Sequence, residues 1–504
     1  MRPEGGKLIS AHQIASRRSA TDCWIVINDG VYDVTDYLGQ HPGGAGILLR
    51  QGGTDATAEF RKVHKPDVLE YLPKNAYIGL IDAEARATLQ AALPLHGASP
   101  DSTAAAVERE QEIPHFATIV SPVDFEAVAK LVLPVDSYTY ISSSSHDGSA
   151  HRGNLSSWQR ITFRPRILQD ISNVKPAFKI LGFSCAFPFY VSPMGQLGRV
   201  HADGEAGAVR ALARRGVHGV ISTESTAPLE DIAAAFADEK AKIAASRKDG
   251  EQEVEAQLHF QLYIPADRAL AVQRIRRARA TGVYKSLWVT VDTAVLGKRT
   301  GDRRLQAKEA LDASPELGEH AEKGGFGGLS PIANSQFNLT LTWEDLSWIK
   351  REWGGPLVLK GIGNAEDALR AADAGCDGVL LSNHGGRQMH DAQDALTTLL
   401  EIRTFYPQIL ERLEVFVDGG CRDGSDALKA ICLGATAVGI GRPFYYALGA
   451  YGEKGVGRCV DLYADEFITG MRLLGIASLH DAQSERVNPR RLLNEIWRPE
   501  KARL

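Results

Sequence analysis

The stretch Gly378-Val379-Leu380-Leu381-Ser382-Asn383-His384-Gly385-Gly386-Arg387-Gln388-Met389 decides the reading of this chain. Its first four residues are a short apolar run, the pattern of a strand buried on both faces. Ser382 ends the run, and Gly385-Gly386 lets the backbone turn sharply. A histidine and an arginine therefore stand together just past the end of a buried strand. His384 offers an imidazole that titrates near neutral pH, hence a proton acceptor. Arg387 offers a planar fork suited to a carboxylate.

Seven similar runs surround this one. Before it come Pro188-Phe189-Tyr190-Val191-Ser192, Gly219-Val220-Ile221-Ser222, Phe260-Gln261-Leu262-Tyr263, Leu287-Trp288-Val289-Thr290-Val291 and Leu357-Val358-Leu359-Lys360. After it come Val415-Phe416-Val417-Asp418 and Ala437-Val438-Gly439-Ile440. Amphipathic stretches such as Ala365-Glu366-Asp367-Ala368-Leu369-Arg370-Ala371-Ala372 separate most of them. Eight strand–helix units predict an α/β fold, a closed (β/α)8 TIM barrel, over residues 115–490. A doubly wound open sheet is the alternative, but no G-x-G-x-x-G follows an early strand. The polar residues gather at or just past the C-terminal ends of the runs, the face on which barrels carry their sites. Over 297–339 the alternation breaks around Gly324-Gly325-Phe326-Gly327-Gly328, which reads as a lid-like loop. Residues 491–504 read as a C-terminal tail.

A second module precedes the barrel. Over residues 8–80, Trp24-Ile25-Val26-Ile27 and Val31-Tyr32-Asp33-Val34 flank Asn28-Asp29-Gly30, a hairpin signal. Helical stretches follow, and the unit ends near Tyr77-Ile78-Gly79. His41-Pro42-Gly43-Gly44 is a turn that can present an imidazole into a crevice, and His64 lies downstream. One heme iron accepts two imidazoles, and an iron so filled transfers electrons rather than activating oxygen. Residues 81–114 are rich in Ala, Ser, Pro and charge and read as a linker, partly helical.

Composition agrees with two domains and excludes several classes. The chain has 504 residues, 44% of them hydrophobic, enough for sizeable cores. A net charge of -5 without a long basic run argues against nucleic acid as partner. The six cysteines never form a C-x-x-C pair, which favours reduced, packed thiols. No apolar stretch approaches the roughly 18 residues needed for a membrane span. The N-terminus lacks a signal core, so a cytoplasmic location is expected.

These strings carry a resemblance. Residues 8–80, with His41-Pro42-Gly43-Gly44 and His64, resemble the small α+β cytochrome b5 heme-binding domain. The resemblance implies that His41 and His64 ligate a b-type heme. The barrel strings Ser382 to Gln388, Val289-Thr290-Val291-Asp292, Gln261-Leu262-Tyr263, Leu359-Lys360-Gly361 and Val417-Asp418-Gly419-Gly420 resemble the FMN-dependent 2-hydroxy acid dehydrogenase and oxidase family. The two modules together are similar to the flavocytochrome b2 family of cytochrome-linked L-lactate dehydrogenases. That implies an oxidoreductase and flavoprotein with FMN and heme iron as cofactors. It takes electrons from a small L-2-hydroxy acid and serves electron transport to cytochrome c or a similar acceptor. It also implies a homo-oligomer, a tetramer by resemblance, and the mitochondrial intermembrane space as the alternative location.

The resemblance implies a role for each matched residue. His384 is the base and Asp292 the anion beside its protonated form. Arg387 and Tyr140 hold the substrate carboxylate, Tyr263 meets the substrate hydroxyl, and Arg299 assists at the root of the loop. Ser222, Gln261 and Thr290 hydrogen-bond the flavin ring, and Lys360 sets a positive charge beside it. Asp418-Gly419-Gly420 with Arg422, and Gly441 with Arg442, supply the phosphate loops after the seventh and eighth runs. The sequence departs from the family at Tyr140-Ile141, where a tyrosine pair is usual, and at Ser192-Pro193-Met194-Gly195. It departs most at Glu224, where an apolar or aromatic residue usually faces the substrate side chain. Two other readings use the same residues: an oxygen-using oxidase with a regulatory heme, or a non-catalytic heme-binding protein.

Overall fold

A computed structural model describes residues 7–41, 44–64, 68–69, 72–91, 113–247, 255–313 and 337–499. It divides into two compact units. One holds residues 1–113 and 301–336, the other 114–300 and 337–504.

The larger unit is a closed barrel of eight parallel strands. In chain order they are β1 (Phe189–Val191), β2 (His218–Ile221), β3 (Leu258–Leu262), β4 (Tyr284–Thr290), β5 (Leu357–Ile362), β6 (Gly378–Leu381), β7 (Glu414–Asp418) and β8 (Ala437–Ile440). Each expected apolar run overlaps one barrel strand, and the sheet closes β8 onto β1 through Gly439 opposite Tyr190. Fold class and architecture are therefore as expected. The runs are continuous rather than alternating because both faces are covered, by helices outside and by side chains inside. Trp288 fills the centre, with its ring 4.9 Å from Phe416 and 5.2 Å from Tyr190. All three are fully buried, and each such side chain stabilises the fold by about 1.5–3 kcal/mol. A short hairpin, Phe178–Ile180 paired with Phe183–Cys185, adds Ile180 and Cys185 to the same cluster.

Helix Ala365–Asp373 shows how the outer layer follows from sequence. Asn364 caps it by accepting from the Asp367 backbone N–H, and it buries Ala365, Ala368 and Ala371 on one face. Helix Arg442–Leu474 starts at Gly441, with Pro443 in its first turn.

The smaller unit contains a four-stranded antiparallel sheet. Asp22–Ile27 pairs with Gly30–Asp33 across a turn at Asn28, whose φ is 55°, and Tyr77–Leu80 lies beside Gly30–Asp33. The hairpin falls where Asn-Asp-Gly predicts it. The rest of this unit takes in parts of two stretches read as connections. The stretch read as a linker begins with helix Ala83–Ala91, whose Leu89 is buried with Ile9, Ile14 and Val26. The stretch read as a lid-like loop begins with helix Thr300–Ala313, whose Ala310 is buried with Ala45, Leu49 and Leu38. A side chain at Gly46 would strike that helix's backbone at 2.8 Å, so glycine permits the close packing. The remainders of both stretches, 92–112 and 314–336, lie outside the described residues. So does Pro42-Gly43 of the histidine turn. The stretch read as a tail is packed at its start: Leu492 and Ile496 are buried, and the Trp497 N–H donates to Glu401.

Candidate active site and heme pocket

Strand ends β1 to β8 open into one cavity of about 180 Å³, continuous with solvent. Tyr140, Ser222, Tyr263, Arg299, Lys360, His384, Arg387, Asp418, Gly419, Gly420, Arg422, Gly441 and Arg442 all line it. Gln261, Thr290 and Asp292 stand behind that surface.

The loop after β6 is unusual backbone. His384, Gly385 and Gly386 have φ of 60°, 65° and 76°. The left-handed conformation is uncommon for histidine and costs about 1–3 kcal/mol. Other groups hold it in place. Asn383 accepts from the Gly386 N–H and exchanges amide bonds of 2.7 and 2.8 Å with Asn154. A Cβ on Gly386 would lie 2.5 Å from the His151 nitrogen, so glycine is required there on two counts. The Gln388 amide donates to the Asp292 and Val295 carbonyls, which ties this loop to the one after β4.

His384 Nδ1 lies 3.0 and 3.1 Å from the two Asp292 carboxylate oxygens. A carboxylate can only accept, so Nδ1 carries the proton and Nε2 presents its lone pair. Nε2 lies 3.4 Å from the Tyr263 hydroxyl. Lys360 Nζ is 3.4 Å from Nδ1, and Thr293 donates to Asp292 at 2.9 Å. Gly361 has φ of 105°, and a Cβ there would meet the Asp292 carboxyl carbon at 2.5 Å. This explains why glycine follows Lys360.

Burial lowers the His384 pKa to about 4, with Lys360 adding to the shift and Asp292 opposing it. The free imidazole is therefore neutral at neutral pH and ready to accept a proton. Burial alone would raise the Asp292 pKa. The charges of His384 and Lys360 and the hydrogen bonds from His384 and Thr293 outweigh it, so Asp292 stays ionised.

Behind the cavity surface, buried polar groups form a row across three strands. Ser222 donates to the Gln261 side-chain oxygen at 3.1 Å, and the Gln261 amide donates to Thr290 at 2.8 Å. Arg387 Nη1 donates to the Tyr140, Ile141 and Ser143 carbonyls, and the guanidinium lies 5.2 Å over the Tyr140 ring. Backbone contacts thus fix the expected carboxylate fork.

The phosphate loops can be tested for fit. Gly419 and Gly420 both have φ of 87°. A Cβ on either would press on Asn154, within 3.0 Å of its side chain or nearer its backbone. Gly441 meets only Ser192, at 3.9 Å, so sterics do not demand glycine there. Arg442 is half-buried, and the loss of water around it lowers its pKa. Its guanidinium donates to the Ile141, Ser143 and Gly385 carbonyls and contacts His151 Nδ1. Among the described residues no carboxylate pairs with it, so a half-buried cation at a helix N-terminus is placed to hold an anion. Arg422 instead pairs with Glu126 at 2.9 Å. Asp418 Oδ1, Ser192 Oγ and Arg299 Nε are buried without a hydrogen-bond partner among the described residues. Groups of this kind fit a bound molecule carrying a phosphate, hydroxyls and a polar ring.

Residues 129–489 match the FMN-dependent dehydrogenase family, and residues 10–82 match the cytochrome b5-like heme/steroid binding domain. The chain belongs to the FMN-dependent dehydrogenase family. It is 33% identical over 484 residues to L-lactate dehydrogenase (cytochrome) of Wickerhamomyces anomalus, covering 95% of this chain and 80% of that one. It is 34% identical to glycolate oxidase of Spinacia oleracea, covering 71% of this chain and 92% of that one. Among solved structures, a double mutant of flavocytochrome b2 with pyruvate bound aligns with a TM-score of 0.69 at 31% identity. That alignment covers 80% of this chain and 95% of the other. FMN is the cofactor of the barrel family and heme that of the N-terminal one. The chain is an oxidoreductase that uses both.

In the smaller unit the His41 and His64 rings lie 5.8 Å apart, centre to centre. Two imidazoles that share one metal ion stand at about this separation. His41 Nδ1 lies 3.2 Å from the Gly44 carbonyl, which leaves Nε2 as the ring nitrogen able to ligate a metal. Among the described residues no cluster of three or more His, Cys, Asp or Glu could hold a further metal ion, and no helix is long and apolar enough to cross a membrane.

Three contributors escaped the sequence reading. Thr293 steadies Asp292. Asn154 binds the catalytic loop and backs the Gly419-Gly420 loop. His151 lines the cavity beside Arg442, with its pKa lowered to about 3 by burial and by the arginines. Thr293 adjoins a residue already singled out, so proximity was a usable signal. Asn154 and His151 lie on helix Ser149–Gln159, which carried no motif.

Proposed function

We propose that the barrel oxidises a lactate-like L-2-hydroxy acid to the 2-oxo acid, and that the electrons leave through the heme to cytochrome c or a similar carrier. The supporting observation is the meeting at one cavity of a neutral imidazole backed by an ionised carboxylate, a tyrosine hydroxyl and three cations. Arg387 and Arg299 bind the substrate carboxylate, with Tyr140 beside them. Tyr263 orients the substrate hydroxyl. His384 Nε2 accepts the proton, and Asp292 stabilises the imidazolium that results. General-base catalysis of this kind contributes about 10²–10⁴-fold. FMN supplies the two-electron acceptor when bound. Ser222, Gln261, Thr290 and Lys360 would hold its ring, Asp418 its hydroxyl chain, and Gly419, Gly420, Arg422, Gly441 and Arg442 its phosphate. His41 and His64 would ligate the heme iron, leaving no open position, which suits electron transfer.

Anaerobic mixing with a panel of 2-hydroxy acids tests this reading. Flavin bleaching should precede heme reduction. His41→Ala should spare bleaching and remove the heme absorbance. Cutting within residues 92–112 should leave acid oxidation intact and slow heme reduction. Equal heme reduction by the severed halves at low concentration would overturn the tether. Peroxide yield under excess cytochrome c separates this dehydrogenase from an oxidase. By family resemblance the proposal includes a homotetramer, placed in the cytoplasm or, as the alternative, in the mitochondrial intermembrane space. Light scattering and cell fractionation check those two points.

A further inference from the structure

Two carboxylates line the cavity, Asp418 and Glu224. Asp418 is flanked by the phosphate loop. Glu224 stands on the substrate side, near enough that its charge helps raise the pKa of Tyr263, after burial and Asp292. Its backbone is held on both sides. The N–H donates to Ser222 Oγ at 3.1 Å, and the carbonyl accepts from the Gln196 N–H at 2.8 Å. Gly195 makes room for the side chain, because a Cβ there would come within 2.9 Å of the Glu224 Cβ. Among the described residues, no hydrogen bond or ion pair reaches the Glu224 carboxylate. Arg299, Lys360 and Arg387 line the same cavity, yet none of them pairs with it.

A carboxylate facing a cavity that fills with substrate loses water and gains nothing unless the substrate brings a donor. In the reading above, the substrate carboxylate goes to the arginines and its hydroxyl to His384 and Tyr263. Only the substituent on C2 remains for Glu224. We propose that Glu224 selects 2-hydroxy acids whose side chain ends in a hydrogen-bond donor, with a primary ammonium the best match and a second carboxylate the worst. This rests on the oxidation reading. An ammonium would form a charge-assisted hydrogen bond with the glutamate, whereas an apolar end would leave the glutamate unpaired.

The test uses the full-length holoenzyme and pairs of acids matched in length. Lactate is compared with glycerate, and 2-hydroxyhexanoate with 6-amino-2-hydroxyhexanoate. Malate is the anionic control. The wild type should favour the donor-bearing member of each pair by about 10–100-fold in kcat/KM, with malate poorest. Glu224→Leu should reverse both preferences. Glu224→Gln should keep the preference for glycerate and lose that for the amine. Isothermal titration with the matching 2-oxo acids should show the same order without turnover. Wild-type preference for the apolar members, or an equal effect of Glu224→Leu on all the acids, overturns the inference. If the acids bleach the flavin without preference, selection by Glu224 fails and oxidation stands. If none bleaches it and no 2-oxo acid binds, both fail.

Discussion

The two ends of the barrel each bury a histidine network, and they are built oppositely. At the N-terminal ends of β2, β3 and β4, Trp288 donates to Ser286 at 2.8 Å and Ser286 donates to His259 Nδ1 at 2.7 Å. His259 Nε2 then donates to His218 Nδ1, and His218 Nε2 to the Ser184 carbonyl, both at 3.1 Å. The indole can only donate and the carbonyl only accept, so the direction of every proton in the chain is set. Each of these links is satisfied, and no solvent path is needed. At the C-terminal ends the network around His384 stops short. Among the described residues His384 Nε2 meets only a long contact from Tyr263, and Asp418, Ser192 and Arg299 keep unpartnered atoms. The difference teaches a rule: a closed polar chain supports structure, whereas an open one marks where another molecule must complete it.

Substitutions can break this contrast. His384→Gln should have the largest effect, lowering flavin reduction by about 10⁴-fold while the bound flavin absorbance persists. Stopped-flow mixing checks it. Asp292→Asn should cost about 10²–10³-fold. It should also move the acid limb of kcat/KM to lower pH, because Asp292 raises the His384 pKa. In the wild type that limb should lie near pH 4, well below ordinary imidazole. Lys360→Met should shift it upward, since Lys360 lowers the same pKa.

The closed end should respond in stability rather than rate. Ser286→Ala orphans Trp288 and His259 and should cost about 1–3 kcal/mol in denaturant unfolding, with kcat/KM nearly unchanged. Loss of turnover without loss of stability would break the comparison. The pH dependence sharpens it. Burial lowers the pKa of His218 from 6.5 to about 4 and that of His259 well below 6.5. Between those values the unfolded chain binds protons that the native state does not. This stability is therefore full above pH 6.5 and is lost as pH falls toward 4. Thermal melts at several pH values should show that loss. Thr293→Val should have the smallest effect, a fall in turnover of about tenfold or less, corresponding to one hydrogen bond of about 0.5–1.5 kcal/mol.

Much of this was legible along the chain. Buried parallel strands are continuous apolar runs, so eight such runs announced the barrel, and the residues just past them marked its mouth. The helix Thr300–Ala313 was not legible. Its charged, weakly patterned sequence resembles a loop, and among its described side chains only Ala310 enters a core, that of the smaller unit. Helix in the linker was legible without its bounds, because the alanine-rich composition of Ala83–Ala91 runs on into the rest of the stretch. The orientation of Arg387 was hidden too, because three backbone carbonyls from residues 140, 141 and 143 hold it.

By itself the sequence determined which chemical groups exist, which strands are buried on both faces and where glycine must free the backbone. Those follow from local sterics and from periodicity, which act over a few residues. Only the tertiary structure decided that His384 faces Asp292 and Lys360, that Asn154 backs two loops, and that Glu224 stands beside Tyr263. The physical reason is that desolvation and charge act through space, and residues from 24 to 229 positions apart in sequence become neighbours only when the barrel closes.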